Sequence, residues 1–498
     1  MATLKGNLLK GMKSQGGDTS TPPSRKPCSY SPLQTFVLPK GTDRHYAQQY
    51  ADMYFLRLKQ LTKAVKAKAH EAWHGFELGG EKAQFVDRVL DVRQGELCWV
   101  VGTVYMEMAL KPNVLDDISK EHWIAAPPAR STYMSQEEQD EMMLEDESGR
   151  LRVTGEPLKA HYVTGCVLAA LGTEQADGTF QVIATQYADL PRQPQRWERD
   201  NAVLSRSKQK PPNRENAGKL AIVSGLEIGG GEYDDLALDL LVEYLTGEAT
   251  GPPDQASSSQ ITRLIIAGDS LAKSSPILSR DDFAAKKSAS KHYGYDASAY
   301  DCIPSERLDT FLSDILPTLP ITLLPGATDP ASVALPQQPL HPALFPTARL
   351  YAEPPSTGLP SLTGLDTVTN PWDADIDGFR VLGTSGQTLS DLSKYVDNVD
   401  SLDVMEMMLR WRCIAPTAPD TLWCYPFQDD DPLLVKECPH VYFAGCQGAF
   451  GVKKIEGPAG QEVLLICVPR FKDSGQVVLV DLETRDVELV RVAVVEPT

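Results

Sequence analysis

The sequence "LLPGATDP" (residues 323–330) places a tight turn directly after a short apolar segment. The segment begins at Ile321, and an apolar run that meets Pro325-Gly326 predicts a buried strand with a sharp end. Three further apolar runs also end in glycine or a glycine turn: KLAIVSGL (219–226), ITRLIIAGD (261–269) and FRVLGTSG (379–386). Helical segments at 238–247 and 305–316 separate the first three strands. This alternation predicts a largely parallel sheet with functional loops at its strand ends.

The C-terminal part of the chain has the pattern of strands alone. Its apolar runs are HVYFAGC (440–446), EVLLICVPRF (462–471), GQVVLVDLE (475–483) and VELVRVAVV (487–495). We expect these strands to form a second sheet that packs on the first. The predicted fold class is therefore α/β plus all-β, with a layered β-sandwich over residues 220–498.

The N-terminal part begins with a tail, residues 1–42, that is rich in Gly, Ser, Thr, Pro and Lys and predicted to be disordered at least to about residue 30. Thr42 or Asp43 could cap a following amphipathic helix that ends near residue 72. The predicted apolar stripe of this helix comprises Tyr46, Tyr50, Tyr54, Leu58, Leu61 and Val65. Its lysines fall mostly off that stripe, which indicates a solvated face.

Long strands broken by glycine follow the helix. The run ELCWVVGTVYMEMAL (96–110) contains Gly102, where a small barrel needs a kink, and a hairpin turns at Asp177-Gly178. This pattern predicts a Greek-key barrel of the OB type within residues 43–198. Residues 199–219 are polar and basic, and we interpret them as a linker to the sandwich.

Composition limits the classes of partner. The 498-residue chain carries a net charge of −19, yet residues 1–75 hold 12 Lys/Arg against 4 Asp/Glu, so the remainder carries −27. Such an acidic body opposes direct DNA binding and favours protein partners. Nine scattered cysteines without a CxxC pair indicate reduced thiols. Neither a membrane-spanning run nor the apolar core of a secretion signal is expected.

The predicted sandwich resembles the calcineurin-like metallophosphoesterases, whose strand ends carry D-x-H, G-D, G-N-H-[DE], a lone His and G-H-x-H. The resemblance implies two metal ions bound at those positions, where they activate water and hold a phosphoryl group. The corresponding positions here are Gly225, Glu227, Asp269, Ala327, Thr328, Asp329, Leu382, Cys446 and Gly448. Asp269 alone clearly remains of the usual ligands.

The missing ligands predict a site that holds no pair of metal ions and performs no catalysis. We therefore expect no catalytic residue, no bound metal and no cofactor. The glycines of IGGGEYDD (228–235) lack a following Gly-Lys-Ser/Thr and indicate a structural turn. Cys413, Cys424, Cys438 and Cys446 match no common zinc spacing and are interpreted as buried thiols.

A degenerate phosphoesterase domain after an OB barrel resembles the B-type subunits of eukaryotic replicative DNA polymerases, in particular those of the delta enzyme. The stretches that carry this resemblance are DRHYAQQYADMYFLRL (43–58), YVTGCVLAALG (162–172), IVSGLEIGGGE (222–232), ALPQQPLHPALFP (334–346), NPWDADIDGFRVLGTSGQTLSDL (370–392) and IAPTAPDTLWCYPFQDDDPLL (414–434). Archaeal relatives keep the metal ligands and act as nucleases, and the departures above place this chain with the inactive eukaryotic branch.

The resemblance implies a nuclear scaffold for DNA replication and repair. Its expected partners are the cysteine-rich C-terminal domain of the catalytic polymerase subunit and a third subunit. The catalytic subunit of polymerase zeta is a further partner that the family shares, while DNA is contacted only indirectly. Two alternatives stay open at this point: an active phosphoesterase or nuclease that uses Glu227, Asp269 and Asp329, or the B-type subunit of polymerase alpha or epsilon.

Overall fold

The computed structural model describes most of the chain. The described residues are 2–4, 24–44, 50–112, 130–135, 140–159, 162–195, 218–229, 236–248, 251–273, 302–352, 364–397 and 399–493. Most of the predicted tail (5–23) and nearly all of the predicted linker (199–217) lie outside these ranges. Among the helices of the described residues, none combines the length and the apolar character needed to cross a bilayer.

The N-terminal part contains a closed barrel preceded by a long helix. Two short strands come first in the chain, β1 (Ala2–Leu4) and β2 (Tyr30–Pro32), followed by helix α1 (Ala51–Trp73). The next strands are β3 (Glu77–Leu78), β4 (Glu81–Lys82), β5 (Gln84–Phe85), β6 (Leu97–Glu107), β7 (Glu141–Glu145), β8 (Arg150–Thr154), β9 (Val167–Glu174) and β10 (Phe180–Tyr187). Strand β6 pairs with both β7 and β9, which closes the ring β6-β7-β8-β10-β9 as the OB pattern predicts.

Helix α1 covers the barrel with a face that includes Leu61 and Val65 of the predicted stripe but is displaced by one position in its first turns, where Tyr54 and Leu58 are half-buried. Its buried residues recur every fourth position: Met53, Arg57, Leu61, Val65, Ala69 and Trp73. Tyr50, by contrast, is 41% exposed. Tyr46 lies outside the described residues. The displacement in the first turns arises because the predicted stripe contained tyrosines and left out Arg57, whose charge is compensated inside the protein by Asp431. Leu61 and Val65 belong to both faces, and the lysines Lys59 and Lys63 are exposed as expected.

The first sheet of the sandwich has the order β1-β21-β20-β11-β12-β13-β14. Its remaining strands are β11 (Lys219–Val223), β12 (Ile261–Ala267), β13 (Ile321–Leu324), β14 (Leu365–Thr367), β20 (Gln476–Asp481) and β21 (Val487–Val492). Strands β11 to β14 are parallel. The helices α2 (Leu236–Thr246), α3 (Pro252–Ser258) and α4 (Ile303–Ile315) connect these strands, and α2 and α4 pack on one face of the sheet.

The second sheet has the order β18-β19-β17-β16-β15-β2. Its strands in the C-terminal part are β15 (Trp372–Ile376), β16 (Phe379–Thr384), β17 (Val441–Gln447), β18 (Gly451–Glu456) and β19 (Glu462–Pro469). Helices α5 (Gln387–Leu392) and α6 (Ser401–Arg410) pack on its outer face, and α7 (Phe471–Ser474) follows β19. One apolar core fills the space between the two sheets, with Ile222 and Ile265 from the first and Phe443 and Ile466 from the second.

Three strands lie in a different sheet from the one that the sequence predicts. Strand β16 belongs to the second sheet, whereas β20 and β21 complete the first through antiparallel pairing of β20 with β11. Apolar periodicity identifies a strand but not its neighbour, because hydrogen bonds to either sheet satisfy the same backbone groups. The layered sandwich itself agrees with the prediction.

Part of the predicted tail is built into the sandwich. Strand β2 pairs antiparallel with β15, and Tyr30, Phe36 and Leu38 are buried. The N-terminal segment therefore crosses to the far edge of the second sheet before helix α1 begins. Its apolar residues are too widely spaced to produce a strand pattern, so the sequence grouped them with the tail.

Candidate functional site

The glycine-ended strands of the first sheet bring their loops together as predicted. The amide of Gly225 donates to the carbonyl of Gly268 over 2.9 Å, and that of Glu227 donates to the carbonyl of Asp269 over 3.0 Å. Cys446, at the end of β17, joins this group because its amide donates to Ser224 Oγ over 2.8 Å. Gly225, Glu227, Asp269 and Cys446 thus lie in one hydrogen-bonded set of loops, which Thr328 and Asp329 also join.

Asp269 lies at the centre of these loops and is only 3% exposed. Its φ of +51° is unusual for a residue with a side chain. One carboxylate oxygen, Oδ1, accepts a hydrogen bond from the amide of Thr328 over 3.0 Å. A Cβ at Gly326 would lie 2.3 Å from the same oxygen, so glycine is required beside it. The carboxylate therefore holds the 325–330 turn against the end of β12.

Asp329 is also engaged by backbone groups. Its carboxylate accepts from the amides of Gly326 (2.7 Å), Leu271 (2.8 Å) and Ser270 (3.2 Å). Burial raises the pKa of this carboxyl to about 6, an effect that the three N–H donors oppose and that the nearby charge of Asp269 strengthens. Both oxygens are thus used to close the turn.

Glu227 is neutralised by two basic side chains. Its carboxylate lies 3.2 Å from Lys472 Nζ and 3.6 Å from Arg470 Nε. The backbone of Glu227, with a φ of +46°, lies next to Asp269. The negative charge of the Glu227 side chain, however, is paired with Arg470 and Lys472, which follow β19. Gly225, at φ +61°, packs against Arg470, whose Cγ would be 2.7 Å from an added Cβ. An aspartate at position 225 would meet that side chain.

Cys446 is a buried thiol. Its sulfur lies 3.8 Å from the carbonyl oxygen of Ala267. Burial, together with the neighbouring Asp269, raises the pKa of this thiol well above its usual range. Because the thiolate is the form that binds metal ions, the neutral thiol is a poor ligand.

The other predicted positions either lie outside this set of loops or offer no side chain that is free to bind a metal ion. Gly448 and Ala327 are exposed. The hydroxyl of Thr328 donates to the carbonyl of Leu271 over 2.7 Å. Leu382 does not lie at the strand end: it is buried within β16 in the core under the outer helices. Ser385, the residue directly after β16, reaches the loops, and its Cβ would be 2.2 Å from a Cβ on Gly268.

The sequence did not reveal a buried network of neutral side chains beside these loops. Asn370 Nδ2 lies 2.7 Å from Gln337 Oε1, 2.6 Å from Ser385 Oγ and 2.8 Å from Gln387 Oε1. Gln337 Nε2 in turn donates to the carbonyls of Gly326 (3.1 Å) and Ser332 (2.9 Å). The available signal was polar side chains within otherwise apolar or Pro-rich runs, as in PQQP, NPW and SGQT. These uncharged groups cross-link loops from both sheets.

Two histidines of the sandwich domain accept hydrogen bonds from backbone amides. Nδ1 of His440 accepts from the amide of Arg380 over 3.0 Å, and Nδ1 of His341 accepts from the amide of Ala343 over 3.1 Å. Within the described ranges, no three His, Cys, Asp or Glu side chains come together in a way that could hold a metal ion. Both imidazoles thus fix local backbone.

Two family models match this chain. One describes the B-type subunit of DNA polymerases alpha and epsilon and covers residues 220–452, and the other, described as DNA polymerase delta subunit OB-fold domain, covers residues 49–185. They correspond to the sandwich and the barrel. Together they place the chain in the class of B-type subunits of DNA polymerases.

Curated relatives resolve the class further. The chain is 36% identical to the DNA polymerase delta small subunit of Oryza sativa, covering 92% of this chain and 96% of that protein. It is 34% identical to the protein of that name in Saccharomyces cerevisiae (90% of each) and 33% identical to DNA polymerase delta subunit 2 of Drosophila melanogaster (95% and 99%). The chain belongs to the DNA polymerase delta small subunit family.

Proposed function

We propose that this chain is the non-catalytic small subunit of a DNA polymerase delta and acts in the nucleus during DNA replication and repair. The observation that carries the proposal is its similarity to delta small subunits along almost the whole chain. The delta relatives argue against the alternative assignment to polymerase alpha or epsilon. The polymerase activity of the complex then resides in another subunit.

We further propose that the sandwich is a degenerate metallophosphoesterase. In this proposal residues 43–198 form the helix and barrel unit, 199–219 the linker and 220–498 the inactive domain. Support comes from Asp269 and Asp329, whose carboxylates are engaged by backbone amides, and from Glu227, which is paired with Lys472. These are the three carboxylates on which a rearranged metal site would depend. Their present partners favour a structural role.

As a scaffold, the chain would join two proteins. We propose that it binds the cysteine-rich C-terminal domain of the catalytic subunit and a third subunit, and that the polymerase zeta catalytic subunit uses the same scaffold. The acidic body, with −27 outside residues 1–75, is consistent with protein partners and indirect contact with DNA.

The scaffold role predicts a stable complex. Co-expression of the full chain with the catalytic and third subunits from the same source should give a complex of one copy each, measured by size-exclusion chromatography with light scattering. The control replaces the cysteine-rich tail of the catalytic subunit with an unrelated domain, which should release that subunit alone. If the chain elutes by itself in every mixture, the scaffold proposal is wrong.

The inactive site predicts no metal-dependent cleavage of DNA. Purified protein incubated with Mn²⁺ and labelled single- or double-stranded DNA should leave the substrate intact, and Asp269→Ala should give the same trace. Manganese-stimulated cleavage by the wild-type protein that disappears in Asp269→Ala would show an active centre and overturn this part of the proposal.

A further inference from the structure

The end of helix α1 carries the only two histidines of the chain that are four positions apart. They are His70 and His74, and they enclose the sequence HEAWH (70–74). Residues at this spacing lie on the same face of a helix, which brings the two imidazoles together. The pattern H-E-x-x-H on a helix is typical of two histidines that bind one zinc ion. The expectation of no bound metal concerned the strand ends of the sandwich and the cysteines, none of which lies in this helix.

The structure brings the two imidazole rings together at the protein surface. The ring centres of His70 and His74 are 5.4 Å apart, with an angle of 59° between the ring planes, and both residues are exposed. A tetrahedral metal ion that lies about 2.0–2.1 Å from one nitrogen of each ring places the ring centres about 5 Å apart. The observed separation therefore matches that of two rings that share one ion.

Buried neighbours hold this part of the helix against the barrel. Ala69 and Trp73, each directly before one of the histidines, belong to one apolar cluster with barrel residues. The ring of Trp73 packs edge-on against that of Trp99 in β6, with 5.8 Å between the ring centres. His74 keeps a helical φ of −60° although the helix ends there. The backbone that carries both rings is thus fixed in advance, so binding of an ion orders little besides the two side chains.

Both imidazoles are available to an ion. Among the described residues, none forms a hydrogen bond or an ion pair with His70 or His74. The neighbouring charge of Glu71 is paired with Lys68, 3.3 Å away. The negative end of the helix dipole lies at this turn and favours a bound cation.

We propose that His70 and His74 bind one divalent transition-metal ion, with Zn²⁺ as the expected occupant and water at the remaining coordination positions. Imidazole nitrogens suit Zn²⁺, Cu²⁺ and Ni²⁺, whereas Mg²⁺ requires oxygen ligands. A catalytic zinc ion has three protein ligands, and the described residues supply no third ligand beside this pair. The ion would therefore fix the end of α1 rather than cleave a substrate. Because the pair lies on α1 and not among the loops of the sandwich, the site does not depend on the proposed function.

Isothermal titration calorimetry of the full chain, purified without a polyhistidine tag, tests the site with ZnCl₂ and MgCl₂ as separate probes. We expect His70→Asn and His74→Asn each to raise the Kd for Zn²⁺ at least about 10-fold. The matched control His341→Asn replaces an exposed histidine of the sandwich domain and should leave the Kd within about twofold of the wild type. Any Mg²⁺ signal should be the same in all variants, because it would not come from the imidazoles.

A further variant tests the spacing rather than the number of histidines. The double substitution His74→Asn/Ala72→His keeps two histidines but places them two positions apart, where they do not face each other. It should bind Zn²⁺ as weakly as His74→Asn alone. Zn²⁺ should also raise the melting temperature of the wild type more than that of these variants, because binding to the folded state stabilises it.

Equal Zn²⁺ affinity in the wild type, His70→Asn and His74→Asn overturns the inference, and so does a spacing variant that binds as tightly as the wild type. Mg²⁺ binding that weakens with the same substitutions would also contradict an imidazole site. Because both histidines are exposed, melting temperatures measured in EDTA should be the same for all variants and show that each is folded.

Discussion

Replacement of Arg57 by methionine is expected to lower the free energy of unfolding by about 3–5 kcal/mol. Arg57 and Asp431 are both fully buried, with 2.6 Å between Nε and Oδ2. The same guanidinium donates to the carbonyls of Pro416 (3.2 Å) and Ala418. Loss of the cation leaves the carboxylate of Asp431 without its buried counter-charge. Chemical denaturation monitored by tryptophan fluorescence measures the change.

The same substitution should weaken the junction between barrel and sandwich, since Arg57 lies in α1 and Asp431 in the sandwich domain. The double variant Arg57→Met/Asp431→Leu should recover most of the loss because it removes both buried charges. Lys59→Met, on the exposed face of the same helix, should change stability by less than about 0.5 kcal/mol. A single Arg57→Met variant as stable as the Lys59→Met control would contradict this account.

Gly165→Ala is expected to destabilise the protein by about 2–4 kcal/mol. Gly165 has a φ of +91°, and an added Cβ would lie 1.9 Å from the carbonyl oxygen of Pro416. The barrel backbone therefore approaches the sandwich domain too closely for any side chain. Denaturant midpoints of wild type and variant, at equal m-values, give the difference.

Gly178, in the β9–β10 hairpin, provides a matched control that separates the steric clash at Gly165 from the cost of its positive φ. Its φ of +80° is similar, yet no atom lies within 4 Å of its Cβ position. Gly178→Ala should cost only the backbone strain, about 1 kcal/mol. If both alanine variants lose the same stability, the contact with Pro416 does not cause the destabilisation of Gly165→Ala. The barrel backbone is then not in close contact with the sandwich domain at Gly165.

Sequence patterns predicted the elements whose partners are local. The β9–β10 hairpin, the parallel strands β11 to β13 and the loops at 225–227, 268–269 and 327–329 follow from apolar runs bounded by glycine. The place of Arg57 on the buried face of α1 could not be predicted, because its burial depends on Asp431. The sheet that contains β16 likewise depends on β17, about 60 residues further along the chain.

At the candidate site, too, the sequence predicted the residue types but not the contacts that those residues make. The residue types at the strand ends, including the absence of histidine at the compared positions, were readable from the sequence. Their present roles were not, because the partners of Asp269 and Asp329 are backbone amides, which every sequence contains. The Asn370 network joins four side chains from three separate places in the sequence and leaves no regular spacing. Leu382 was misplaced because the alignment of a motif cannot show where its strand ends.

The pairing of β2 with β15 has a consequence for the timing of synthesis. The amide of Ser29 donates to the carboxylate of Asp377 over 2.8 Å, across 348 residues of chain. At about 5–20 residues per second, a ribosome needs roughly 20–70 s to cover that distance. During this interval β2 has been synthesised but the strand with which it pairs has not. A nascent chain interrupted before residue 372 therefore leaves the backbone of β2 without its partner strand.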